Sequence, residues 1–318
     1  MGCLSSKRLG PKLAAEQGKA MASARANGIV IAYETYGPRD GVPLLLIHGF
    51  GQQLTAWSPA WIDGLADAGL NVIAYDNRDT GLSQKFDGQI PDVAAAARAM
   101  RDGRKPDVPY TLSDMAADAA GLLDALGIES AHVAGASMGG MIAQLLALDH
   151  PDKVRSLTVI FSSTSDAGLP PSTAEAHKAL TSEPAGADRA SVIAHVLKSR
   201  RAYSSTKFAI DDEESALHVG RCYDRMYYPE GTLRHWGAIV ASPPRGERLR
   251  HLKVPTLVLH GTADTLLPIA HGRHLAGCIA GAEYHEIEGW GHDLPRSVIP
   301  VVLERMVPFV DRVEKARR

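Results

Sequence analysis

The sequence predicts an α/β fold in which a mostly parallel sheet is flanked by helices and carries an inserted helical cap. Between residues 43 and 161, short apolar segments alternate with segments of helical periodicity, the pattern of a parallel sheet covered on both faces. Residues 162–252 contain no strong strand signal, and strand–helix alternation then resumes. A chain of 318 residues is long enough for one such sheet with an insertion.

The individual elements follow from local patterns. Residues 28–36 mix β-branched and aromatic side chains before Gly37-Pro38, which predicts one or two opening strands. Continuous apolar runs predict further strands over residues 43–48, 69–75, 131–136, 154–161, 254–260 and 282–287. Periodicity and capping signals predict helices over residues 57–68, 113–126, 138–150, 268–278 and 295–313. Residues 94–109 have no clear period and are predicted to be a surface excursion.

The predicted domains are an extension over residues 1–25, a core over residues 26–161 and 253–318, and a cap over residues 162–252. Helical segments near residues 189–201, 212–226 and 232–241 would form the cap. The start, Met1-Gly2-Cys3-Leu4-Ser5-Ser6, matches the N-myristoylation pattern. The alanine-rich composition is typical of bacterial proteins, which favours an incidental match in a loosely packed terminus.

Composition excludes several functional classes. Lys and Arg number 34 against 36 Asp and Glu, so no basic surface for nucleic acid is expected. The three cysteines, Cys3, Cys222 and Cys278, are odd in number and widely spaced, which favours a reducing, cytoplasmic location over a disulfide framework. No apolar run is long enough to span a bilayer.

The stretch Gly135-Ala136-Ser137-Met138-Gly139 fits G-x-S-x-G between a predicted strand and a predicted helix. A serine at such a turn adopts a strained backbone, so its neighbours at two residues' distance must be small. The following helix directs its free N–H groups towards any negative charge that develops beside the serine. Ser137 is therefore the candidate nucleophile; an ordinary glycine-rich turn is the alternative.

A serine hydroxyl needs a nearby base, and that base needs an anion to orient it. Asp264 and His292 each follow a late predicted strand, so their loops fall on the same sheet edge as Ser137. The sequence therefore predicts a catalytic Ser137–Asp264–His292 triad. Asp264 could instead be only a turn former, in which case Asp166, after the strand ending at Phe161, is the nearest alternative acid.

The backbone N–H groups of Phe50 and Met138 are the candidate oxyanion hole, because a glycine-rich loop after an early strand supplies one such donor in this arrangement. Two residues of this early loop and five aromatic residues are predicted to line the substrate pocket: His48, Gly49, Trp57, Tyr223, Tyr227, Trp236 and Trp290. For each aromatic residue, a place in the hydrophobic core is the alternative.

No metal or cofactor is predicted. His271 and His274 lie three residues apart, but they lack ligands at supporting spacing, so solvated helix positions are favoured. Gly49-Phe50-Gly51 does not complete a dinucleotide-binding pattern, and no phosphate-binding loop is found.

Several segments resemble serine α/β-hydrolases, and among them bacterial esterases of the aclacinomycin methylesterase type. They are Asp76-Asn77-Arg78-Asp79-Thr80-Gly81-Leu82-Ser83, residues 135–144, residues 271–277 and residues 291–295. The resemblance implies the α/β-hydrolase fold, a Ser–Asp–His triad, no cofactor and hydrolysis of a carboxylic ester. The loop His48-Gly49-Phe50-Gly51 differs from that of the methylesterases, so the resemblance does not extend to their substrate.

The predicted function is therefore serine-dependent hydrolysis of small to medium apolar esters through an acyl-enzyme. Cofactor-free perhydrolase or haloperoxidase chemistry and C–C bond hydrolysis would use the same triad, and a non-catalytic receptor is a third reading. The expected partners are a small-molecule ester and, for assembly, a second copy of the chain in a homodimer.

Overall fold

An eight-stranded sheet forms the centre of the molecule in the computed structural model, which describes residues 22–317. Its strands are β1 (Ala22–Ala26), β2 (Ile29–Tyr36), β3 (Val42–Ile47), β4 (Leu70–Tyr75), β5 (Ala131–Ala136), β6 (Val154–Ile160), β7 (Thr256–Gly261) and β8 (Glu283–Ile287). They lie in the order β1-β2-β4-β3-β5-β6-β7-β8. β2 runs antiparallel to both of its neighbours, β1 and β4, and all neighbouring pairs from β4 to β8 are parallel. The predicted fold class is confirmed.

The helices are α1 (Pro59–Asp67), α2 (Val93–Arg101), α3 (Leu112–Ala125), α4 (Met138–Asp149), α5 (Ala174–Thr181), α6 (Arg189–Arg201), α7 (Asp212–Arg225), α8 (Pro229–Val240), α9 (Gly246–Leu249), α10 (Ala270–Cys278) and α11 (Ile299–Arg317). Side chains of α3, α4 and α10 pack in one hydrophobic cluster on the sheet, and those of α1 and α11 pack in a second. Because the central strands contribute to both clusters, both of their faces carry buried apolar side chains.

The sheet begins earlier than the predicted extension allowed. Ala22–Ala26 forms β1, and Ala24 is paired with Ile31 of β2. Residues 22–25 are therefore not loosely packed, because backbone hydrogen bonding to β2 compensates for their weak strand propensity. The N-myristoylation match and Cys3 lie outside the described residues.

The segment at residues 94–109 is not entirely irregular. α2 occupies its first half, with the Asp92 side chain accepting a hydrogen bond from the Ala95 N–H as an N-cap. Ala96 and Ala99 are buried on its inner face. Alanine contributes little to hydrophobic periodicity although it favours helix strongly, and this explains the missed helix.

Helices α5 to α9 lie in the chain between β6 and β7, where the helical cap is predicted. The structure adds α5 and the short α9 to the three predicted cap helices. No helix within residues 22–317 combines the length and apolar character that a membrane span requires.

Candidate active site

Ser137 stands between the end of β5 and the start of α4 with backbone angles φ 56° and ψ −122°. A non-glycine residue holds this conformation only when its surroundings enforce it. A Cβ on Gly135 would collide with the Gly139 carbonyl, and one on Gly139 would collide with the Ile47 carbonyl. The glycines of the motif therefore allow the close packing of β5, α4 and β3 that produces the turn.

The structure brings Ser137, His292 and Asp264 into a single hydrogen-bonded line. His292 Nε2 lies 2.9 Å from Ser137 Oγ, and His292 Nδ1 lies 2.7 Å from Asp264 Oδ2. Asp264 is 5% exposed and His292 9% exposed. This arrangement can transfer a proton from the serine hydroxyl to an imidazole whose other nitrogen is held by a carboxylate.

Asp264 is built to remain ionised. Its Oδ1 accepts the N–H groups of Leu266 and Leu267 at 2.9 and 2.8 Å. Burial by itself opposes ionisation, but the interactions of the carboxylate with His292 and His260 outweigh it and hold the pKa of Asp264 well below its usual range. A permanent negative charge next to His292 Nδ1 would stabilise an imidazolium.

Asp166, the alternative acid, contacts a different histidine. Its Oδ2 lies 2.6 Å from His274 Nε2, and its Oδ1 accepts the Gly246 N–H at 3.0 Å. Cys278 completes a group of three potential ligand atoms within 4.8 Å of one another. Asp166 therefore lies in a contact between the cap and α10, and among the described residues these three side chains are the group that could hold a metal ion.

The loop after β3 brings the Phe50 N–H close to the serine turn. A Cβ on Gly49 would lie 3.1 Å from Ser137 Cβ, so the backbone of this loop approaches the nucleophile closely. The loop is fixed by Asn77, whose side chain donates to the His48 carbonyl, and by His235, which accepts the Gly51 N–H. The N–H groups of Phe50 and Met138 find no acceptor within residues 22–317. Both are therefore available to a ligand oxygen beside Ser137.

A cavity of about 220 Å³ opens above Ser137. His48, Gly49 and Phe50 belong to its lining. The His48 Nδ1 accepts the Gly49 N–H at 2.7 Å. Burial, followed by the charges of Arg200 and His218, lowers the pKa of His48 to about 3, so the imidazole facing the cavity is neutral.

The other predicted pocket residues do not line this cavity. Trp57 is buried and stacks on Trp61, whereas Trp290 is buried and donates its indole N–H to the Asp293 carbonyl. Tyr223 and Tyr227 stack on each other at 4.9 Å, and the Tyr223 hydroxyl donates to Ala187. Trp236 contacts the far side of Phe50. These side chains pack within the core and the cap, which is the more common place for large aromatic residues.

The cavity wall instead contains residues that sequence patterns did not single out. The Phe161 ring lies 4.5 Å from the His292 ring. The backbone N–H of His292 donates to the backbone carbonyl of Tyr203 at 2.7 Å. Leu266, Arg200, His218 and Asp293 also line the cavity. Phe161 follows β6 directly and Leu266 lies in the loop after β7, so their position after strand ends was the available signal. Nothing local distinguishes Arg200 from its neighbours on α6.

A second group of polar residues at the same sheet edge is enclosed. Asp79 accepts hydrogen bonds from Arg234 Nε at 2.8 Å, from the Tyr110 hydroxyl at 2.6 Å and from the Phe86 N–H at 2.9 Å. Asp76 accepts the Leu54 N–H and pairs with Arg225 Nη2, both at 2.7 Å. The loop of residues 76–83 thus ties α7 and α8 of the cap to the core.

Fold and site together define a hydrolase of the α/β class. A family profile described as alpha/beta hydrolase fold matches residues 42–295, and the chain belongs to this family. Rhodomycin D methylesterase DauP of Streptomyces sp. (strain C5) is 31% identical over 292 residues, covering 83% of this chain and 89% of that protein. The resemblance to bacterial methylesterases is thereby confirmed, and the predicted enzyme class, a carboxylic ester hydrolase, agrees with it.

Other relatives carry different names. The 2-hydroxymuconate semialdehyde hydrolase of Pseudomonas sp. (strain CF600) is 30% identical over 265 residues, covering 79% of this chain and 81% of that protein. The crystal structure of the enol-lactonase from Burkholderia xenovorans LB400 superposes with a TM-score of 0.67 at 24% identity, covering 91% of this chain and all of that chain. The structural likeness establishes the shared fold.

Proposed function

We propose that the protein hydrolyses carboxylic esters through an acyl-enzyme formed on Ser137. The observation that carries this proposal is the line Ser137 Oγ–His292 Nε2–His292 Nδ1–Asp264 Oδ2, with separations of 2.9 and 2.7 Å, at the base of a cavity. A nucleophile, a base and an orienting anion within hydrogen-bond reach are the parts that serine-dependent acyl transfer requires.

In the first half-reaction, Ser137 Oγ bonds to the acyl carbon as His292 Nε2 takes the hydroxyl proton. The carbonyl electron pair moves to oxygen, and the N–H groups of Phe50 and Met138 stabilise that oxyanion, an effect worth about 3–4 kcal/mol for one donor. When the carbonyl re-forms, the bond to the alcohol breaks, and His292 returns the proton to the departing alkoxide.

In the second half-reaction, a water molecule attacks the acyl-enzyme. His292 takes a proton from the water, the same N–H groups hold the second oxyanion, and the ester bond to Ser137 breaks. The carboxylic acid leaves and Ser137 recovers its proton from His292. Asp264 keeps His292 in the required tautomer in both halves.

The volume of the cavity, about 220 Å³, favours a small or medium acyl group. The cap, proposed as a unit over residues 162–252, supplies Leu180, Arg200, Tyr203 and Ile210 to the wall. The cap is thus the part of the chain that would determine which ester fits, while the core carries the reacting groups.

C–C bond hydrolysis is the second candidate, because a relative of 30% identity is named as a 2-hydroxymuconate semialdehyde hydrolase. The same nucleophile and base would serve that reaction, so only products distinguish the two. We retain ester hydrolysis as the conclusion because relatives named as methylesterases match the chain over 292 residues.

The test is hydrolysis of p-nitrophenyl esters, from acetate to palmitate, by the wild type and by Ser137→Ala. We expect release that depends on Ser137 and is fastest with short acyl chains, because the cavity is small. A folded wild-type protein that releases no p-nitrophenol from any of these esters would contradict the proposal and favour the C–C hydrolase or receptor readings.

A further inference from the structure

Most arginines of the interior have anionic partners. The following pairs meet at 2.6–2.8 Å: Arg78 with Asp118, Arg225 with Asp76, and Arg234 with Asp79. Arg245 has no carboxylate but donates to Gln144 Oε1, the Ser163 carbonyl and Ser165 Oγ. These contacts follow the general rule that a guanidinium removed from water needs a partner for its N–H groups.

Arg200 departs from this rule. It lies at the C-terminal end of α6, is partly buried and lines the cavity above Ser137. Its guanidinium makes one long contact, 3.4 Å from Nη2 to Gln52 Oε1, and no carboxylate within residues 22–317 lies within ion-pair distance. Most of its donors therefore have no acceptor within the described part of the chain, and the residue belongs to the cavity wall.

Burial and the charge of Arg200 together lower the pKa of two histidines that line the cavity. Burial, and then Arg200, lowers the pKa of His48 to about 3, and burial with Arg200 and Arg221 lowers that of His218 to about 4. Both imidazoles are therefore neutral at ordinary pH. They add no positive charge to the cavity, so Arg200 is the cation of its partly buried wall.

The acidic residues of the cavity do not neutralise Arg200 by direct contact. Asp211 and Glu214 are exposed at the mouth, where the Asp211 side chain caps α7. Both carboxyl oxygens of Asp293 are enclosed, and burial raises the pKa of this group to about 6 although the charges of His292 and Arg200 oppose this. Asp293 is therefore an anion at neutral pH that acts on Arg200 through space without an ion pair. The basic residues Arg221 and Arg296 are also exposed at the mouth.

We propose that Arg200 is a specificity-determining residue that binds a carboxylate on the substrate, so that preferred substrates are half-esters of short dicarboxylic acids. The guanidinium fork matches a carboxylate in geometry and charge, and a partly desolvated pair of this kind is stronger than an exposed one. The inference rests on the proposed ester hydrolysis, since it places the carboxylate in the cavity that contains Ser137.

The test compares monomethyl glutarate with methyl 4-carbamoylbutyrate, which has the same shape but carries a neutral amide in place of the carboxylate. For the wild type we expect kcat/KM to be about 10- to 100-fold higher for the acid, the ratio that a charged hydrogen bond provides. Arg200→Gln should abolish this ratio mainly by raising KM for the acid, and Arg200→Lys should restore part of it.

Arg201→Gln is the matched control, because Arg201 is the next residue of α6 and its exposed side chain pairs with Asp212. This variant should keep the wild-type preference for the acid. Equal kcat/KM for the two esters in the wild type, or an unchanged preference in folded Arg200→Gln, would overturn the inference.

Inhibition of the wild-type protein tests the role of Arg200 without a variant. Glutarate should inhibit hydrolysis of p-nitrophenyl acetate by the wild type about 10-fold or more better than neutral glutaramide. Hydrolysis that depends on Ser137 but shows no selectivity for charge would contradict only the role of Arg200. Absence of all ester hydrolysis, with no inhibition to measure, would contradict the proposed function as well.

Discussion

Two groups of polar residues occupy the same edge of the sheet and each contains a buried aspartate, yet their surroundings differ. Asp79, after β4, is enclosed with Arg234 and Tyr110 as partners. Ser137, after β5, is only partly buried and lines the cavity, and its hydroxyl has one hydrogen-bond partner within residues 22–317, His292. A buried aspartate is therefore common to both groups, and access to the cavity together with free bonding capacity separates the reactive group from the structural one.

The two groups also differ in what they connect. The loop of residues 76–83 receives Arg225 from α7 and Arg234 from α8, so it joins the cap to the core. The triad residues all come from core loops after β5, β7 and β8. Substitutions in the first group should therefore change stability, and substitutions in the second should change turnover.

The largest expected effect is that of Ser137→Ala. Removal of the nucleophile should lower kcat/KM for p-nitrophenyl acetate by about 10⁴- to 10⁶-fold, while the melting temperature stays near that of the wild type. Ser182→Ala, at an exposed position of the cap, is the control and should retain full activity. A large loss of stability in Ser137→Ala would contradict this distinction, because Ser137 would then have a structural role.

Asp264→Asn should rank next, with a loss in kcat of about 10⁴-fold, because a neutral amide allows the wrong tautomer of His292. The measurement is steady-state kinetics at neutral pH. Asp166→Asn provides the discriminating comparison, since Asp166 contacts His274 instead of His292. A severe loss in Asp166→Asn together with a mild one in Asp264→Asn would reverse the assignment of the acid.

Asp79→Asn should lower the free energy of unfolding by about 3–5 kcal/mol, because it removes the close counter-ion of the buried Arg234 guanidinium, whose contact with the exposed Glu230 is 3.7 Å long. Urea denaturation measures this change, and the folded fraction should keep its activity within a few-fold. The exposed pair Asp102–Arg104 is the control, and Asp102→Asn should cost at most about 1 kcal/mol. Loss of activity without loss of stability in Asp79→Asn would assign this loop a direct role in turnover.

The smallest effect concerns acid stability. His235 accepts the Gly51 N–H on Nδ1, and its Nε2 lies 2.8 Å from the Arg78 carbonyl. Burial, opposed by the Arg78 carbonyl and Asp79 and reinforced by the charges of Arg234 and Arg78, lowers the pKa of His235 to about 4.

Because the unfolded chain protonates this residue near pH 6.5, it binds more protons than the folded chain between pH 6.5 and 4. Stability should therefore fall as the pH falls through that window, by up to about 3 kcal/mol from this group. Melting curves of His235→Gln should show a shallower pH dependence, with exposed His251→Gln as the control. Identical slopes for His235→Gln and the wild type would refute this assignment.

The comparison also explains what the sequence could predict. The turn at Ser137 and the strand ends before Asp264 and His292 follow from local patterns, so their placement on one edge was predictable. The environment of Trp57, Tyr223 and Trp290 depends on packing between distant segments. Trp57 and Trp290 are buried and Tyr223 is partly buried, and all three lie outside the cavity lining. Aromatic residues identify a cap or core but not which of their neighbours they contact.

The place of Arg200 in the cavity wall also could not be predicted from the sequence. Its neighbour Arg201 has an identical side chain on the same helix, yet Arg201 reaches Asp212 at the surface while Arg200 lines the cavity. Only the rotation of α6 on the core distinguishes them, and that rotation is set by tertiary packing. The catalytic roles of the triad remain predictions that the geometry supports.

The most direct test of the central claim is chemical labelling. Diethyl p-nitrophenyl phosphate phosphorylates an activated serine and requires the same base and oxyanion donors as ester hydrolysis. After reaction of the wild type, peptide mass spectrometry should find the diethylphosphoryl group only on the peptide that contains Ser137, and activity should fall in proportion to labelling. Labelling of another residue, or full activity in protein labelled at Ser137, would contradict the account.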